Sequence, residues 1–303
     1  MQEHTRTTDG KGTISVPASV FELAAQSMGA FFEPISHVER RAAARDFLDL
    51  TKSHKRAAIL QRYEAIEARR VLEIGSGFGT NLAVWIALYG ADAVGVEAGS
   101  EGFDEGYRAS RILLAANGID PGRVINASGE ALPFSDGSFD IVYSANVLEH
   151  TSDPQLVLSE ALRVLRPGGL LHMELPNFLS YFEGHYLVPM PPVLRRPVLS
   201  WWVRLLGRDP AFSRTLRTEI NPVWCRQALR ALRDTYPHDL VSLGADLFLE
   251  RLAHPFAFET QMVETRLGRS VGLLHRANRR NWIGRLIVGV GGWYPIYLTV
   301  RRT

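Results

Sequence analysis

The chain has 303 residues, of which 46% are hydrophobic and 22% are charged, the balance of an ordinary folded protein. This composition excludes a disordered, collagen-like or coiled-coil chain, and the length is sufficient to bury a large core. A single cysteine, Cys225, excludes a disulfide framework or a cysteine-based zinc cluster within one chain. Because no apolar run follows Met1 and the one thiol suits a reducing compartment, we expect a cytoplasmic protein.

The net charge of +2 hides an uneven distribution along the chain. Residues 71–176 carry 14 acidic and 5 basic side chains, whereas residues 177–303 carry 9 acidic and 18 basic ones. An acidic middle joined to a basic end indicates two different binding tasks.

The N-terminal part of the chain is predicted to be a tail followed by helices. Residues 1–13 are polar and predict a disordered tail. Apolar residues recur near helical spacing from Val20 to Phe31, which predicts a helical cap over residues 14–69. Pro34 is expected to separate two of its helices.

From Arg70 onward, short apolar runs alternate with helix-like segments. The predicted strands are residues 71–74, 93–96, 123–127, 139–143 and 170–175. The predicted helices are residues 81–89, 103–117 and 154–165, the last one closed by the turn at Pro167. This alternation indicates βαβ units and a parallel sheet, which binds ligands beyond the carboxyl ends of its strands. The alternation stops after Pro176, and residues 240–243 and 297–300 predict two later strands.

A glycine-rich loop joins the first of these strands to the next helix. Its sequence is EIGSGFG, starting at Glu73, and Gly75 and Gly77 permit tight turns and the close approach of a ligand. A dinucleotide-binding loop would place its third glycine at Thr80, and Glu73 would repel a pyrophosphate but attract a cation. Glu97, at the end of the second strand, can accept both hydroxyls of a ribose. The two carboxylates therefore indicate a nucleoside that carries a positive group.

Four motifs in order resemble those of the class I S-adenosylmethionine-dependent methyltransferases. They are VLEIGSGFG from Val71, EALPFSDGSFD from Glu130, VLEH from Val147 and RVLRPGG from Arg163. The resemblance implies a Rossmann-like α/β fold with a seven-stranded sheet, helices on both faces and an antiparallel last strand.

The resemblance also implies how the chain is divided. Residues 70–177 would form the S-adenosylmethionine-binding core, after the helical cap. Residues 178–290 would be a large insertion that forms an acceptor-binding subdomain, and residues 291–303 would hold the last core strand.

The same resemblance implies S-adenosylmethionine as the cofactor and assigns its contacts to the strand ends. Glu73, Gly75 and Gly77 would meet the methionine part, and Glu97 would bind the ribose hydroxyls. At the adenine, Ser128 stands where many relatives carry an Asp that contacts the amine. The cofactor-binding residues that the resemblance implies are Glu73, Gly75, Ser76, Gly77, Asn81, Glu97, Ala98, Glu130, Ala131 and Asn146.

Candidate catalytic residues follow the fourth and fifth predicted strands, where an acceptor would approach the methyl group. Methylation of a hydroxyl oxygen usually needs a base near neutral pH, and the pKa of a histidine suits that role. We name His150, Glu149 and His185 as candidates, with the alternative that His150 caps the next helix or bonds a backbone group. These three and Glu183 could hold a divalent metal, but their spacing does not demand one, and no metal is predicted.

The methyl acceptor is expected to be a small molecule, a glycan or a lipid-linked intermediate. The aromatic segment 177–186 is similar to one in bacterial methyltransferases associated with cell-surface glycans, with a buried loop as the alternative. O-methylation of a glycan or a lipid-linked cell-envelope intermediate is therefore favoured. A C-methyltransferase acting on a quinone or lipid ring, and a non-catalytic partner or membrane-surface protein of the same fold, are the alternatives.

The basic end of the chain has several interpretations. Its arginines alternate with apolar residues and include Arg266, Arg269, Arg276, Arg279, Arg280 and Arg285. Such a segment can lie on an anionic membrane, receive a phosphorylated acceptor or form a solvated face. Peripheral contact with an anionic membrane and the oligomeric state stay open, and because lysines are scarce no nucleic acid is expected.

Overall fold

The computed structural model describes residues 5–7, 13–36, 38–99, 104–190, 196–210, 219–253 and 282–303. Of the arginines predicted to form a basic amphipathic segment, only Arg285 is among them. The others, at positions 266–280, lie outside the described residues.

The described residues form ten α-helices and eleven strands. The helices are α1 (Ala18–Ser36), α2 (Arg40–Phe47), α3 (Leu50–Leu60), α4 (Thr80–Tyr89), α5 (Asp104–Ala116), α6 (Pro154–Val164), α7 (Arg196–Leu205), α8 (Pro222–Leu232), α9 (Ala245–Ala253) and α10 (Trp282–Gly289). The strands are β1 (Thr5–Thr7), β2 (Thr13–Ser15), β3 (Arg70–Ile74), β4 (Asp92–Glu97), β5 (Val124–Asn126), β6 (Phe139–Ala145), β7 (Leu165–Leu175), β8 (Phe182–Glu183), β9 (Val188–Pro189), β10 (His238–Ser242) and β11 (Ile296–Arg302).

Seven of these strands form the main sheet, in the order β10-β11-β7-β6-β3-β4-β5. The five strands β7, β6, β3, β4 and β5 are parallel to one another. Strand β11 is antiparallel to both β7 and β10. The chain order reverses between β3 and β6, so the carboxyl ends of these strands border a crevice where such sheets bind ligands. The predicted seven-stranded Rossmann-like sheet with an antiparallel last strand is confirmed. Counted along the chain, β10 is the sixth strand of this main sheet, and it lies inside segment 178–290.

The core of the protein consists of two apolar layers, one on each face of the sheet. Val71 packs with Trp85 in the layer that contains α1 to α5, whereas Leu72 and Ile74 pack in the layer that contains α6, α8 and α9. Successive side chains of a strand point to opposite faces, so Glu73 points into the first layer, toward α4. Because both faces are covered, the parallel strands are continuous apolar runs.

The helical cap and the predicted tail differ from the sequence prediction in detail. Helix α1 includes Pro34 and ends at Ser36, two residues beyond the proline. Helix α2 begins at Arg40, so the boundary between the two helices falls within a few residues of its predicted position at Pro34. Within the predicted tail, β1 pairs antiparallel with β2. Helix α1 packs against α2 and α5, and α3 packs against α4.

Strand β7 begins earlier than predicted, because α6 ends at Val164 and the chain passes directly into the strand. The turn predicted at Pro167 lies within β7, where the pairing with β6 is irregular: Phe139 pairs with Leu165, but Ile141 pairs with Leu170. Further on, the apolar stretch from residue 286 to 300 is divided between α10 and β11. Among the described residues, none of the helices has the length and apolar character needed to cross a membrane.

A matched pair of leucines tests this layered core. Leu72 is fully buried in β3, and Leu156 on α6 is 44% exposed. We expect Leu72→Ala to lower the free energy of unfolding by about 2–5 kcal/mol, because it leaves a cavity between strand and helices. Leu156→Ala should change it by less than about 0.5 kcal/mol. Urea unfolding measures both values, and equal losses would contradict the assignment of β3 to the core.

Candidate functional site

The loop between β3 and α4 has a backbone that only glycine tolerates well. Gly75, Gly77 and Gly79 have positive φ angles of 72°, 53° and 77°. A Cβ atom on Gly75 would lie 2.2 Å from Cγ2 of Val147, and one on Gly79 would lie 2.8 Å from Cβ of Ser110. These two glycines therefore let the loop pack closely against the segment after β6 and against α5.

Gly77 differs from its neighbours because its surroundings are open. A Cβ atom built on it would meet no heavy atom within 4 Å. Its backbone N–H donates a hydrogen bond to Oε2 of Glu97, at 2.7 Å. The loop thus connects the ends of β3 and β4 and leaves free space in front of its middle residue, where a ligand can lie against the backbone.

Glu73 is a buried carboxyl group at the end of β3. It is 2% exposed, and Nδ2 of Asn81 donates a hydrogen bond to its Oε1 at 2.6 Å. Its Oε2 has no hydrogen-bond partner among the described residues, and the same holds for Oδ1 of Asn81 and Oγ of Ser76. Burial raises the pKa of Glu73 to about 8, against the opposing effects of Asn81 and the Arg56 guanidinium. Buried acceptors without partners are suited to a ligand with a cationic or hydrogen-donating group.

Glu97 is the second carboxyl group at this edge of the sheet, one strand away from Glu73. Burial raises its pKa to about 7, and the hydrogen bond from Gly77 N–H opposes this rise. Ala98 follows it and is half-buried. The structure therefore places Glu73, Glu97 and the open face of Gly77 around one crevice, as their positions at strand ends predict.

Glu130 lies in the loop before β6, where both of its carboxylate oxygens have protein partners. Ser128 Oγ donates to Oε2 at 3.0 Å, and the Asp153 backbone N–H donates to Oε1 at 2.8 Å. Ala131 is exposed and donates its N–H to the Ser128 carbonyl. The Glu130 side chain thus stabilises its own loop, and the contact of Glu130 and Ala131 with adenine stays a prediction.

Asn146 follows β6 with a left-handed backbone, at φ 54°. Its N–H donates to the Glu174 carbonyl at 2.9 Å, and its side chain is exposed. This turn directs the chain to Val147, which packs against Gly75. Asn146 therefore precedes the residue that packs against the glycine loop, and its contact with the cofactor stays a prediction.

The three predicted catalytic side chains come together next to this turn. We call them the Glu149 cluster: Glu149, His150 and His185. Glu149 and His150 lie in a 3-10 turn (Leu148–His150), and His185 lies between β8 and β9. Oε1 of Glu149 is 3.9 Å from Nε2 of His150 and 3.9 Å from Nε2 of His185. The Glu149 side chain is fully buried, whereas that of His150 is 32% exposed.

The surroundings of the cluster set its protonation. Burial, and then the nearby His185, lower the pKa of His150 to about 4, so its ring is neutral at pH 7. Burial raises the pKa of Glu149 to about 7. Burial lowers the pKa of His185, but its hydrogen bond to Glu183 and the charges of Glu183 and Glu149 together raise it.

His150 does not cap the following helix, so the capping alternative is wrong. The N-cap of α6 is Asp153, whose Oδ1 accepts hydrogen bonds from the N–H groups of Gln155 and Leu156. A short acidic side chain is a better N-cap than an imidazole, which explains the choice of Asp153. His150 is thus placed at the edge of the crevice by the turn before α6.

The start of segment 177–186 is a buried loop with satisfied polar groups. Asn177 Nδ2 donates to the carbonyls of Gly291 and Trp293, at 2.8 and 2.6 Å. Ser180 is buried and donates to the Phe182 carbonyl. Only the later part of the segment, with Glu183 and His185, turns toward the Glu149 cluster.

Arg56 is a residue near the site that the sequence interpretation missed. It lies on α3, and its Nε donates to Oε2 of Glu174 at 3.3 Å. Its charge also acts on Glu73, which lowers the pKa of that carboxyl group. The one signal in the sequence is the helical spacing of the buried residues Ser53 and Leu60, which puts Arg56 on an inward-facing side of α3.

Comparisons with known proteins agree with this geometry. Residues 72–173 match the family described as methyltransferase domain. A methyltransferase of Mycobacteroides abscessus is 34% identical over 173 residues, which is 56% of this chain and 63% of that protein. One of Mycobacterium sp. (strain JLS) is 39% identical over 117 residues, which is 39% of this chain and 42% of that protein.

A solved structure shows the same fold over most of the chain. It is a chain of the Haloferax volcanii complex between the Trm112 methyltransferase activator and a methyltransferase, with a TM-score of 0.50 and 18% identity. The match covers 92% of this chain and 96% of that one. The sequence relatives, in contrast, are spanned over 63% and 42% of their own length.

Residues 72–173 thus match the methyltransferase-domain family, and the strand order is the seven-stranded arrangement that the resemblance to class I S-adenosylmethionine-dependent methyltransferases implies. The residues present fit the cofactor. The buried atoms without partners on Glu73, Ser76 and Asn81 suit its cationic methionine end, and Glu97 can accept ribose hydroxyls.

Two glycines with the same backbone allow a controlled test of the cofactor position. Gly77 and Gly118 both have positive φ and open surroundings, but Gly118 lies at the end of α5, away from the crevice. We expect Gly77→Arg to weaken S-adenosylhomocysteine binding at least about tenfold, a loss of about 1.4 kcal/mol, because the new side chain fills the ligand space. Gly118→Arg should leave the dissociation constant unchanged. Calorimetry measures both, and equal effects would contradict the proposed position.

The raised pKa of Glu73 predicts a pH-dependent stability. The folded protein keeps the proton of this carboxyl group up to about pH 8, whereas the ordinary pKa is 4.5. The unfolded chain therefore binds fewer protons in this range, and the folded state loses stability as the pH rises toward 8. Glu73→Gln removes this term, so between pH 6.5 and 8 the variant should lose on the order of 1 kcal/mol less than the wild type. Urea unfolding of the ligand-free protein at both pH values measures the difference, and parallel losses would contradict it.

Proposed function

We propose that this chain transfers a methyl group from S-adenosylmethionine to a hydroxyl oxygen of a glycan or a lipid-linked cell-envelope intermediate. The observation that supports it best is the Glu149 cluster, a neutral and partly exposed imidazole backed by a buried carboxyl group beside the glycine loop. When bound, S-adenosylmethionine supplies an electrophilic methyl group. The side chains of the protein then have to hold the acceptor in line with it and remove a proton.

The arrangement around His150 favours oxygen as the methylated atom. A neutral alcohol is a weak nucleophile, so its proton has to pass to a base as the new bond forms. The His150 ring is neutral at pH 7 and open to solvent, and it can accept that proton. The buried carboxyl group of Glu149, 3.9 Å away, stabilises the positive charge that then develops on the ring.

The surroundings of the cluster support a glycan or a lipid-linked acceptor. Tyr181 and Phe178 are half-buried aromatic side chains of segment 177–186 that pack partly against the core. Aromatic faces suit the apolar faces of sugar rings. The excess of arginine in residues 177–303 suits a phosphate linkage, and the exposed Trp201 and Leu205 on α7 suit peripheral contact with a membrane.

Replacing His150 tests its role as the base. We expect His150→Ala to lower the rate of methyl transfer by a factor of roughly 10²–10⁴, because no base then accepts the proton of the acceptor hydroxyl. Binding of S-adenosylhomocysteine should stay at the wild-type level, since the ring does not belong to the glycine loop. Unchanged turnover would remove His150 from the catalytic role and would favour the C-methyltransferase alternative.

The acceptor itself is best found by labelling. Purified protein is incubated with an extract of envelope lipids and glycans and with an isotopically labelled methyl donor, and the labelled product is identified by mass spectrometry. We expect an O-methyl ether on a sugar or a lipid-linked intermediate. A label on a ring carbon would contradict O-methylation, and a complete lack of labelled product would favour the non-catalytic alternative.

A further inference from the structure

We propose that the Glu149 cluster is a binding site for a divalent transition-metal ion of the zinc type. The inference rests on the proposed function, because it specifies how the cluster activates the acceptor hydroxyl. The ligand atoms of Glu149, His150 and His185 all lie within 4.8 Å of one another. Bonds of about 2.0–2.2 Å require ligand atoms about 3–4 Å apart, so small side-chain rotations would complete the site.

The strongest reason for a bound cation is the state of Glu149. Its side chain is 0% exposed, and neither carboxylate oxygen has a hydrogen-bond partner within the described ranges. Buried polar groups without partners are rare in folded proteins, because each costs the free energy of its lost hydration. A cation between the carboxylate and the two imidazoles would give this buried carboxylate a partner.

The neighbouring Glu183 supports the same interpretation. Its Oε1 is 2.9 Å from Nδ1 of His185, and its Oε2 accepts the backbone N–H of Tyr186 at 2.6 Å. The hydrogen bond between Glu183 and Nδ1 fixes the orientation of the His185 ring so that Nε2 faces Glu149. Metal-binding histidines usually donate their second nitrogen to a carboxylate or carbonyl in this manner.

The donor set selects the class of metal. Two imidazole nitrogens and one carboxylate suit zinc, iron, cobalt or manganese, whereas magnesium and calcium prefer sites made of oxygen atoms. Three protein ligands leave one position free, as in catalytic zinc sites. Since His150 is 32% exposed, we place this free position on the side of the crevice.

An acceptor hydroxyl in the free position would lose its proton more easily, because a bound cation stabilises the alkoxide. In this form His150 is a ligand, so the O–H bond breaks with its proton passing to solvent water. The O–C bond to the methyl group then forms, and the C–S bond of the sulfonium breaks to leave a neutral thioether. The cluster thus activates the hydroxyl through the metal when it is loaded, and through the His150 ring alone when it is empty.

Metal binding can be measured without any turnover. The purified full-length chain is stripped with a chelator and titrated with Co²⁺, followed by visible absorption, and with Zn²⁺, followed by calorimetry. We expect one ion per chain. Glu149→Gln and His185→Ala should each weaken binding at least tenfold, and Glu183→Gln, which alters the hydrogen bond to His185 without removing a ligand, by about 10–100-fold.

Control variants keep the test specific. His54→Ala removes a histidine that pairs with Tyr89 outside the cluster, and it should leave Zn²⁺ binding unchanged. Glu149→Gln preserves the shape of the side chain, and urea unfolding checks that each variant is folded. If the double variant Glu149→Gln/His185→Ala also proves unfolded, protection of His185 from chemical modification by Zn²⁺ in the wild-type chain provides the same readout.

The outcomes separate this proposal from the proposed function. Lack of Co²⁺ and Zn²⁺ binding at millimolar concentration, or binding that survives both Glu149→Gln and His185→Ala, would overturn the metal site. Methyl transfer that depends on His150 could still be observed in that case. Conversely, binding that depends on the cluster would support the metal site even if methyl transfer to envelope acceptors were absent, and that absence would overturn the proposed function.

Discussion

Two carboxyl groups, Glu73 and Glu97, end neighbouring parallel strands at one edge of the sheet, and the loop between β3 and α4 holds them there. The left-handed backbone at Gly75 and Gly77 lets the loop turn within a few residues, and the Gly77 N–H holds Glu97. Burial raises the pKa values of both groups toward neutrality, because each charged carboxylate loses its hydration. A ligand with a positive charge and hydroxyl groups would offset that loss. This constraint suits the binding of a sulfonium nucleoside.

The rest of the molecule is arranged around that edge. Val147 packs against Gly75, so the segment after β6 touches the glycine loop on one side and carries the Glu149 cluster on the other. The helical cap reaches the same place through Arg56, which binds Glu174 and acts on Glu73. Residues from the cap, the sheet and segment 178–290 therefore lie close to one another at this edge of the sheet.

The sheet and the cofactor side of the site could be predicted because they depend on local sequence. Parallel strands buried on both faces are short apolar runs, and Gly75 and Gly77 sit where a strand must turn into a helix. The contact of His185 with Glu149 brings together positions 36 residues apart and depends on the hairpin of β8 and β9. The contact of Arg56 with Glu174 and that of Glu130 with Asp153 depend on packing between elements, which local patterns do not specify. The boundary between α1 and α2 falls a few residues after Pro34, because local patterns locate a helix end less sharply than they locate the helix.

The central claim is that the crevice lined by Glu73 and Glu97, at the carboxyl ends of β3 and β4, binds a sulfonium nucleoside. The most direct measurement is a crystal structure of the protein grown with S-adenosylmethionine or S-adenosylhomocysteine. We predict density along the open face of Gly77, with the ribose hydroxyls at Glu97 and the methionine amine near Glu73. Density at another place on the molecule, or a phosphate-bearing dinucleotide in this crevice, would contradict the account.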